Sequence, residues 1–332
     1  MKLLWLDLNS SYAHSSLALP ALHAQIADDT TIEWCIVSAT INENTGMVVS
    51  RIHKHRPDII AATNWLFNHE QLLHIISRAK ALLPHCCIVL GGPEFLGNNE
   101  AFLYKNKFVS GVFRGEGEEV FPQWLKVWNH SKETWKAITG LCYLDENGRY
   151  QDNGIARVMN FSQLVSPEKS CFFNWSKPFV QLETTRGCFN TCAFCVSGGE
   201  KPVRTIPLEA IRERLNDIHQ HGIKNVRVLD RTFNYNNKRA KELLDLFRQY
   251  PDICFHLEIH PALLSEELKQ ELSVLPKGLL HLEAGIQSLK ESVLQQSRRI
   301  GKLSDALEGL KYLCSLKNME THADLIAGLP LY

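Results

Sequence analysis

Three of the chain's ten cysteines, Cys188, Cys192 and Cys195, fall within one stretch of eight residues. Three residues separate the first pair and two separate the second. Thiolates are the usual protein ligands of iron–sulfur clusters. Three of them on one loop can grip a four-iron cubane and leave one iron without a protein ligand. An open metal position receives a substrate or cofactor, whereas structural metal sites are closed. A structural zinc knot would need a fourth ligand, and the next histidines, His219 and His221, lie on a predicted helix. A second pattern is His256-x-Glu258-x-His260, which has the composition of a site with two histidines and one carboxylate. The same groups also read as hydrogen-bonded lining residues.

The elements around the cysteines follow from periodicity. Residues 179–183 read as a strand, so the cysteines sit just past a strand end, where Gly187 permits a tight turn. Further strands are expected at 225–230, 253–260, 279–286 and 323–327. They alternate with helices at 207–221, 238–249, 266–275, 289–296 and 305–316. Five parallel strands with outer helices predict a barrel or part of one. Residues two apart on a strand share a face. One face would then carry Gln181, Glu183 and Thr185; Asp230; His256, Glu258 and His260; His281, Glu283 and Gln287; and His322 and Asp324. A closed barrel is filled with branched aliphatics. A polar interior predicts an open barrel around a hydrated ligand.

Upstream, strands at 3–8, 32–38, 58–63, 86–90 and 109–113 alternate with helices at 16–27, 47–54 and 71–83. This predicts a doubly wound parallel sheet with helices on both faces. Such sheets bind ligands at the carboxyl ends of their strands. Those ends carry Asn9, then Gly91 and Gly92, then Gly115 and Glu116, and the glycines permit close backbone approach to a ligand. The bland reading of the same residues is well-formed strand-to-helix turns. We therefore expect a first domain at 1–128, a hairpin and linker at 129–178 marked by Asn147-Gly148, and a second domain at 179–332.

Composition bounds the rest. Apolar residues make up 45% and charged residues 22% of 332, as in ordinary globular proteins. The 36 basic and 36 acidic residues cancel, so no long-range field favours nucleic acid. No apolar run is long enough to span a bilayer. The remaining cysteines lie mostly in predicted strands or helices and read as small buried hydrophobes. A reducing, cytoplasmic setting is expected, with no disulfide framework.

The cysteine spacing, with Phe194 directly before the third cysteine, resembles the signature of the radical S-adenosylmethionine (SAM) superfamily. The first region, with its Gly-Gly-Pro and Gly-Glu-Gly-Glu turns, resembles the cobalamin-binding domain fused ahead of many such enzymes. It departs in one place. Where many of those domains carry Asp-x-His-x-x-Gly, with a cobalt-ligating histidine, this chain has Asn9 and Tyr12 after Asp7. Either cobalamin is held without that ligand, or the domain keeps the fold without the cofactor.

The resemblance implies a [4Fe–4S] cluster on Cys188, Cys192 and Cys195, with SAM at the open iron. It places Phe194, Asp230, Glu258, Glu283, Gln287 and Gly328 around SAM, and Asn9, Gly91, Gly92, Gly115 and Glu116 around cobalamin. It implies reductive cleavage of SAM to a 5′-deoxyadenosyl radical, a flavodoxin or ferredoxin as electron donor, an unidentified substrate, and methyl transfer if cobalamin is present. The rival from another class is a non-catalytic iron–sulfur or cobalamin carrier or sensor. Relatives of this kind continue past the Gly328-Leu329-Pro330 turn, so the barrel is expected to be incomplete at Tyr332.

Overall fold

The computed structural model describes residues 1–14, 16–198 and 200–330. The chain divides into two compact units, one ending at Asn174 and the other beginning at Trp175.

The first unit is built on strands β1 (Lys2–Asn9), β2 (Glu33–Thr40), β3 (Ile59–Thr63), β4 (Cys87–Gly91), β5 (Gly111–Phe113), β6 (Leu141–Leu144) and β7 (Tyr150–Asp152). They lie in the order β2-β1-β3-β4-β5-β6-β7, with β1 to β5 parallel. Alternate side chains feed two separate cores. Leu4, Leu6 and Leu8 of β1 pack with Val48 and Ile52 of helix α2 (Thr45–His55) and with Leu72, Ile75 and Ile76 of helix α3 (His69–Leu82). Leu3 and Trp5 point the other way. They join Leu19 of helix α1 (Ala18–Ala24) and Phe121 and Trp124 of the helix Val120–Leu125. A parallel sheet covered on both faces needs near-continuous apolar strands. The fully buried run Ile59, Ile60, Ala61 and Ala62 in β3 supplies one.

The hairpin expected between the domains is not set apart. Its strand β6 pairs antiparallel with β5 and extends the first sheet. The reason is packing: Leu141 and Tyr143 are fully buried, and Tyr143 meets Trp135 edge-on. The turn itself is held by Asp145, whose Oδ1 accepts from the backbone N–H groups of Asn147 and Arg149 at 2.9 and 2.8 Å.

In the second unit, β8 (Val180–Leu182) leads into β9 (Thr185–Arg186), which pairs antiparallel with β10 (Arg204–Thr205). The larger sheet continues through β11 (Asn225–Val228), β12 (Cys254–Ile259), β13 (Leu280–Gln287) and β14 (Glu320–Leu325). Among the described residues it has five parallel strands in the order β14-β13-β12-β11-β8. The crossovers are amphipathic helices, such as Leu208–Gln220, which buries Ile211, Leu215 and Ile218, and Asn237–Phe247, whose Phe247 stacks on Phe255 of β12 at 4.0 Å. Here the strands alternate. In β13 Leu280, Leu282, Ala284 and Ile286 are buried, while His281, Glu283, Gly285 and Gln287 are half-exposed.

Candidate active site

The cysteine loop hangs between β9 and β10 and is fastened at several points. Asp230, only 2% exposed, accepts hydrogen bonds from the Thr184 and Thr185 backbone N–H groups at 2.8 and 2.9 Å and from the Thr184 hydroxyl. Gly187 has φ +94°, and a Cβ there would meet the Glu200 carbonyl at 2.5 Å. That same carbonyl accepts from the Cys188 N–H at 2.9 Å. On the other side, the Ala193 N–H donates to the Ser297 carbonyl at 2.9 Å, and the Ile300 N–H donates to Asn190 Oδ1 at 3.3 Å. The segment that follows β13 therefore embraces the loop.

Cys188 and Cys192 are buried and Cys195 is exposed. Burial pushes the Cys192 thiol up, the Arg299 guanidinium beside it pulls it down, and Cys195 and Cys188 add mutual repulsion. Among the described residues, no three histidine, cysteine or acidic groups converge on a point that would hold a single metal ion. The compact site considered for His256, Glu258 and His260 is thus not formed. A cubane asks something different, since each thiolate takes its own iron at a separate corner. Three thiols on one pinned loop, near enough to feel one another's charge, fit that donor set.

Arg299 also donates to the Gly285 carbonyl of β13, which links the loop to a cleft in the second unit. Arg231, Thr232 and Arg299 line it together with Glu258, Glu283, Asp324, Gln287 and His260. Of the residues expected around SAM, Glu258, Glu283 and Gln287 come together here. Phe194 lies half-buried within the cysteine loop, and Gly328 (φ +84°) has open space around its Cα.

Asp230 has a different task. Strand β11 presents Arg227 on its exposed parity, and Asp230 falls on the buried parity of Val226 and Val228. Its carboxylate anchors the cysteine loop rather than lining the cleft. The expectation that Asp230 shares the polar face therefore fails at β11.

The cleft is electrostatically loaded. Burial, aided by the charges of Glu283, Asp324 and Asp230, pushes Glu258 up to about 7 against the pull of Arg231. Burial opposes ionisation of Glu283, yet hydrogen bonds with Asp324 and His256 hold it below the usual carboxylate range. Its partner Asp324 is pushed up by burial and by that same contact. Below the carboxylates, His256 Nε2 lies 2.8 Å from Glu283 Oε2, and the His256 and His281 rings stack at 4.6 Å. Gln287 has φ +69° at a break in the β13–β14 register. Its amide folds back so closely over Gly285 that any side chain there would collide with it. Left-handed backbone at a residue other than glycine is costly and clusters at ligand sites.

In the first unit, two of the glycine turns lie tight against neighbouring backbone. A Cβ on Gly92 (φ +110°) would meet the Asn64 carbonyl at 2.5 Å. One on Gly115 (φ +104°) would strike the Ala156 carbonyl, which accepts from the Glu116 N–H at 3.0 Å. Glu116 Oε2 accepts from the Val158 N–H at 2.7 Å. A Cβ on Gly91 would have ample room, its nearest neighbour being the Phe113 Cβ at 3.9 Å. At Gly92 and Gly115 neighbouring backbone makes a close approach. Asn9 donates to Asp7 Oδ2 at 2.7 Å. Past the ends of β1 and β3, however, Tyr12, Leu66 and Phe67 are exposed, and Trp65 stacks with Phe67 at 6.3 Å.

Comparison with known proteins matches residues 182–331 to the radical SAM superfamily and residues 8–125 to the B12 binding domain. A radical SAM domain and a B12-binding domain are thus both present in the chain. An uncharacterized methyltransferase of Pyrococcus horikoshii is 26% identical over 292 residues, covering 84% of this chain and 62% of that protein. The chain thus spans less than two thirds of that relative's length. In fold, this radical SAM chain is similar to the radical SAM methyltransferase TsrM from Kitasatospora setae, with TM-score 0.78 and 16% identity over 99% of this chain and 68% of that one. It is also similar to the cobalamin-dependent radical SAM enzyme OxsB, with TM-score 0.79 and 16% identity over 98% of this chain and 49% of that one.

Sequence reasoning about this radical SAM chain missed Arg299. It sits in an irregular connector between helices, and no local pattern marks it. The adjoining Gly301, with φ +96°, was the available sign of a constrained turn.

Proposed function

We propose that the chain is a radical SAM enzyme whose second unit binds a [4Fe–4S] cluster and SAM, and whose first unit binds cobalamin for methyl transfer to an unidentified substrate. The observation that carries this reading is the bridge made by Arg299 between a loop of three cysteines and a cleft lined by both charges. When bound, the cluster supplies an electron that cleaves SAM to a 5′-deoxyadenosyl radical, and cobalamin supplies a methyl carrier. The names of the methyltransferase relatives support the outcome.

The chain's own residues do the rest. Cys188, Cys192 and Cys195 hold three corners of the cluster. Asp230 and the 297–300 segment keep their loop in place. Arg231 and Arg299 attract a carboxylate, while Glu283 and Asp324 attract an ammonium group. Glu258 exchanges a proton near neutrality, and Gln287 offers an amide to ribose or carboxylate oxygens. For cobalamin, Asn9 is steadied by its hydrogen bond to Asp7 at the end of β1, and the exposed Tyr12, Trp65, Leu66 and Phe67 fit the apolar face of a flat ligand. A flavodoxin- or ferredoxin-type donor completes the system. No helix among the described residues is long and apolar enough to cross a membrane.

The test is anaerobic reconstitution with iron and sulfide, followed by SAM and dithionite, with 5′-deoxyadenosine measured by chromatography. We expect its release. A loaded cluster that leaves SAM intact overturns the enzyme reading in favour of a carrier. The absorption spectrum after incubation with hydroxocobalamin tests the first unit, where retention of a corrinoid band after desalting is expected.

A further inference from the structure

The described part of the cleft leaves one polar side chain unaccounted for. His260 follows directly on β12 and is 4% exposed, and neither of its ring nitrogens has a hydrogen-bond partner among the described residues. Its backbone is fixed from both sides by the buried Asn234. The His260 N–H donates to Asn234 Oδ1 at 2.8 Å, and Asn234 Nδ2 donates to the His260 carbonyl at 3.0 Å. Gly301 leaves room for the ring, since a Cβ there would stand 3.3 Å from His260 Cε1. The chain thus places an imidazole in the wall of the cleft without a well-formed hydrogen bond, only the Ile300 and His260 backbone groups coming near it.

A buried polar group without a partner costs about 1–3 kcal/mol. Such groups call for an explanation, and one is a partner that arrives with a ligand. The ring is neutral: burial and the nearby Arg299 charge push it down to about 4, although the Ile300 backbone works weakly the other way. A neutral imidazole offers one donor and one acceptor. Around it stand Arg231 and Arg299 on one side of the charge balance and Glu258, Glu283 and Asp324 on the other. Walls of both signs suit a zwitterion.

We propose that His260 is a ligand-contacting residue of the cleft, its imidazole hydrogen-bonding the aminocarboxylate head of S-adenosylmethionine. The assignment rests on the SAM reading above and adds a residue that the superfamily resemblance did not supply.

The test uses the anaerobically reconstituted chain and two uncleavable probes in equilibrium dialysis. S-adenosylhomocysteine has the aminocarboxylate head, and 5′-methylthioadenosine lacks it. His260→Phe fills the space without hydrogen bonds, and His260→Gln restores a donor and an acceptor. We expect His260→Phe to weaken S-adenosylhomocysteine about tenfold, to leave 5′-methylthioadenosine unchanged, and to be partly rescued in His260→Gln. Unaltered homocysteine-probe binding in His260→Phe, or equal loss of both probes, overturns the assignment while the SAM reading stands. A wild-type chain that binds neither probe overturns both. If His260→Phe fails to fold by circular dichroism, the probe ratio is read from His260→Gln, where unchanged affinity or equal weakening of both probes overturns the assignment and a selectively lowered homocysteine-probe affinity supports it.

Discussion

The two parallel sheets of this chain share a construction rule and differ in what their faces are for. In the first, β1 sends Leu3 and Trp5 into one core and Leu4, Leu6 and Leu8 into another, so neither face is left for a ligand. In the second, β12 and β13 bury every other residue and turn His256, Glu258, His281 and Glu283 the opposite way. Strand–helix alternation looks the same in both. What separates them is whether hydrophobicity along a strand is continuous or has period two. A ligand at the first sheet must sit beyond the strand ends, whereas the second sheet has a face to offer.

The sharpest way to break this contrast is to attack the cysteine loop. Cys192→Ala is expected to abolish cluster retention, read as iron content and visible absorbance after desalting, while circular dichroism stays unchanged. Retained iron at the wild-type level would contradict the open-corner reading.

Next in size is Asp230→Ala, which strands two buried N–H groups and a hydroxyl. It should cost about 4 kcal/mol in urea unfolding of the second unit and lower iron uptake through the displaced loop. A variant as stable as wild type would show that the anchor is dispensable.

The first unit supplies the matched control. Gly115→Ala meets the Ala156 carbonyl at a positive φ and should destabilise by about 3 kcal/mol, whereas Gly91→Ala should cost under about 1 kcal/mol because its surroundings are open. If both variants fold equally well and only cobalamin retention falls, the turns face a ligand after all.

The smallest effect concerns pH. Glu258 titrates near 7 in the folded chain and near 4.5 when unfolded. Between those values the folded state holds the extra proton, so stability from this group is full at acid pH and falls as pH rises toward 7. Glu258→Gln should therefore match wild type near pH 4 and exceed it by about 2 kcal/mol at pH 8, less than the roughly 3 kcal/mol of the full shift because solvent reaches part of the carboxyl. Equal stability at both pH values would mean that the carboxyl is better solvated than its surroundings imply.

Much of this was readable from residue order. The cysteine spacing marked the loop, and alternation in 254–259 and 280–287 marked the polar face. Three things were not readable, each for a physical reason. Asp230 lies beyond the last ladder residue, Val228, where the chain turns, so its charge rather than its place in the alternation assigned it to the polar face. Glycine at 92 and 115 announces that something comes close but not what, and the neighbour is Asn64 in one case and Ala156 in the other. Arg299 meets Cys192 and Gly285 through tertiary contact alone, which no local pattern encodes.

The anchor of the cysteine loop has a consequence for how the chain is made. Thr184 and its partner Asp230 are 46 positions apart, and the ribosome delivers the cysteines before the carboxylate that steadies them. A nascent chain that has exposed Cys195 but not yet laid β11 against β8 has thiols without a seat. A cluster delivered before Asp230 has left the exit tunnel would meet an unsheltered loop, so productive loading is expected only after that point.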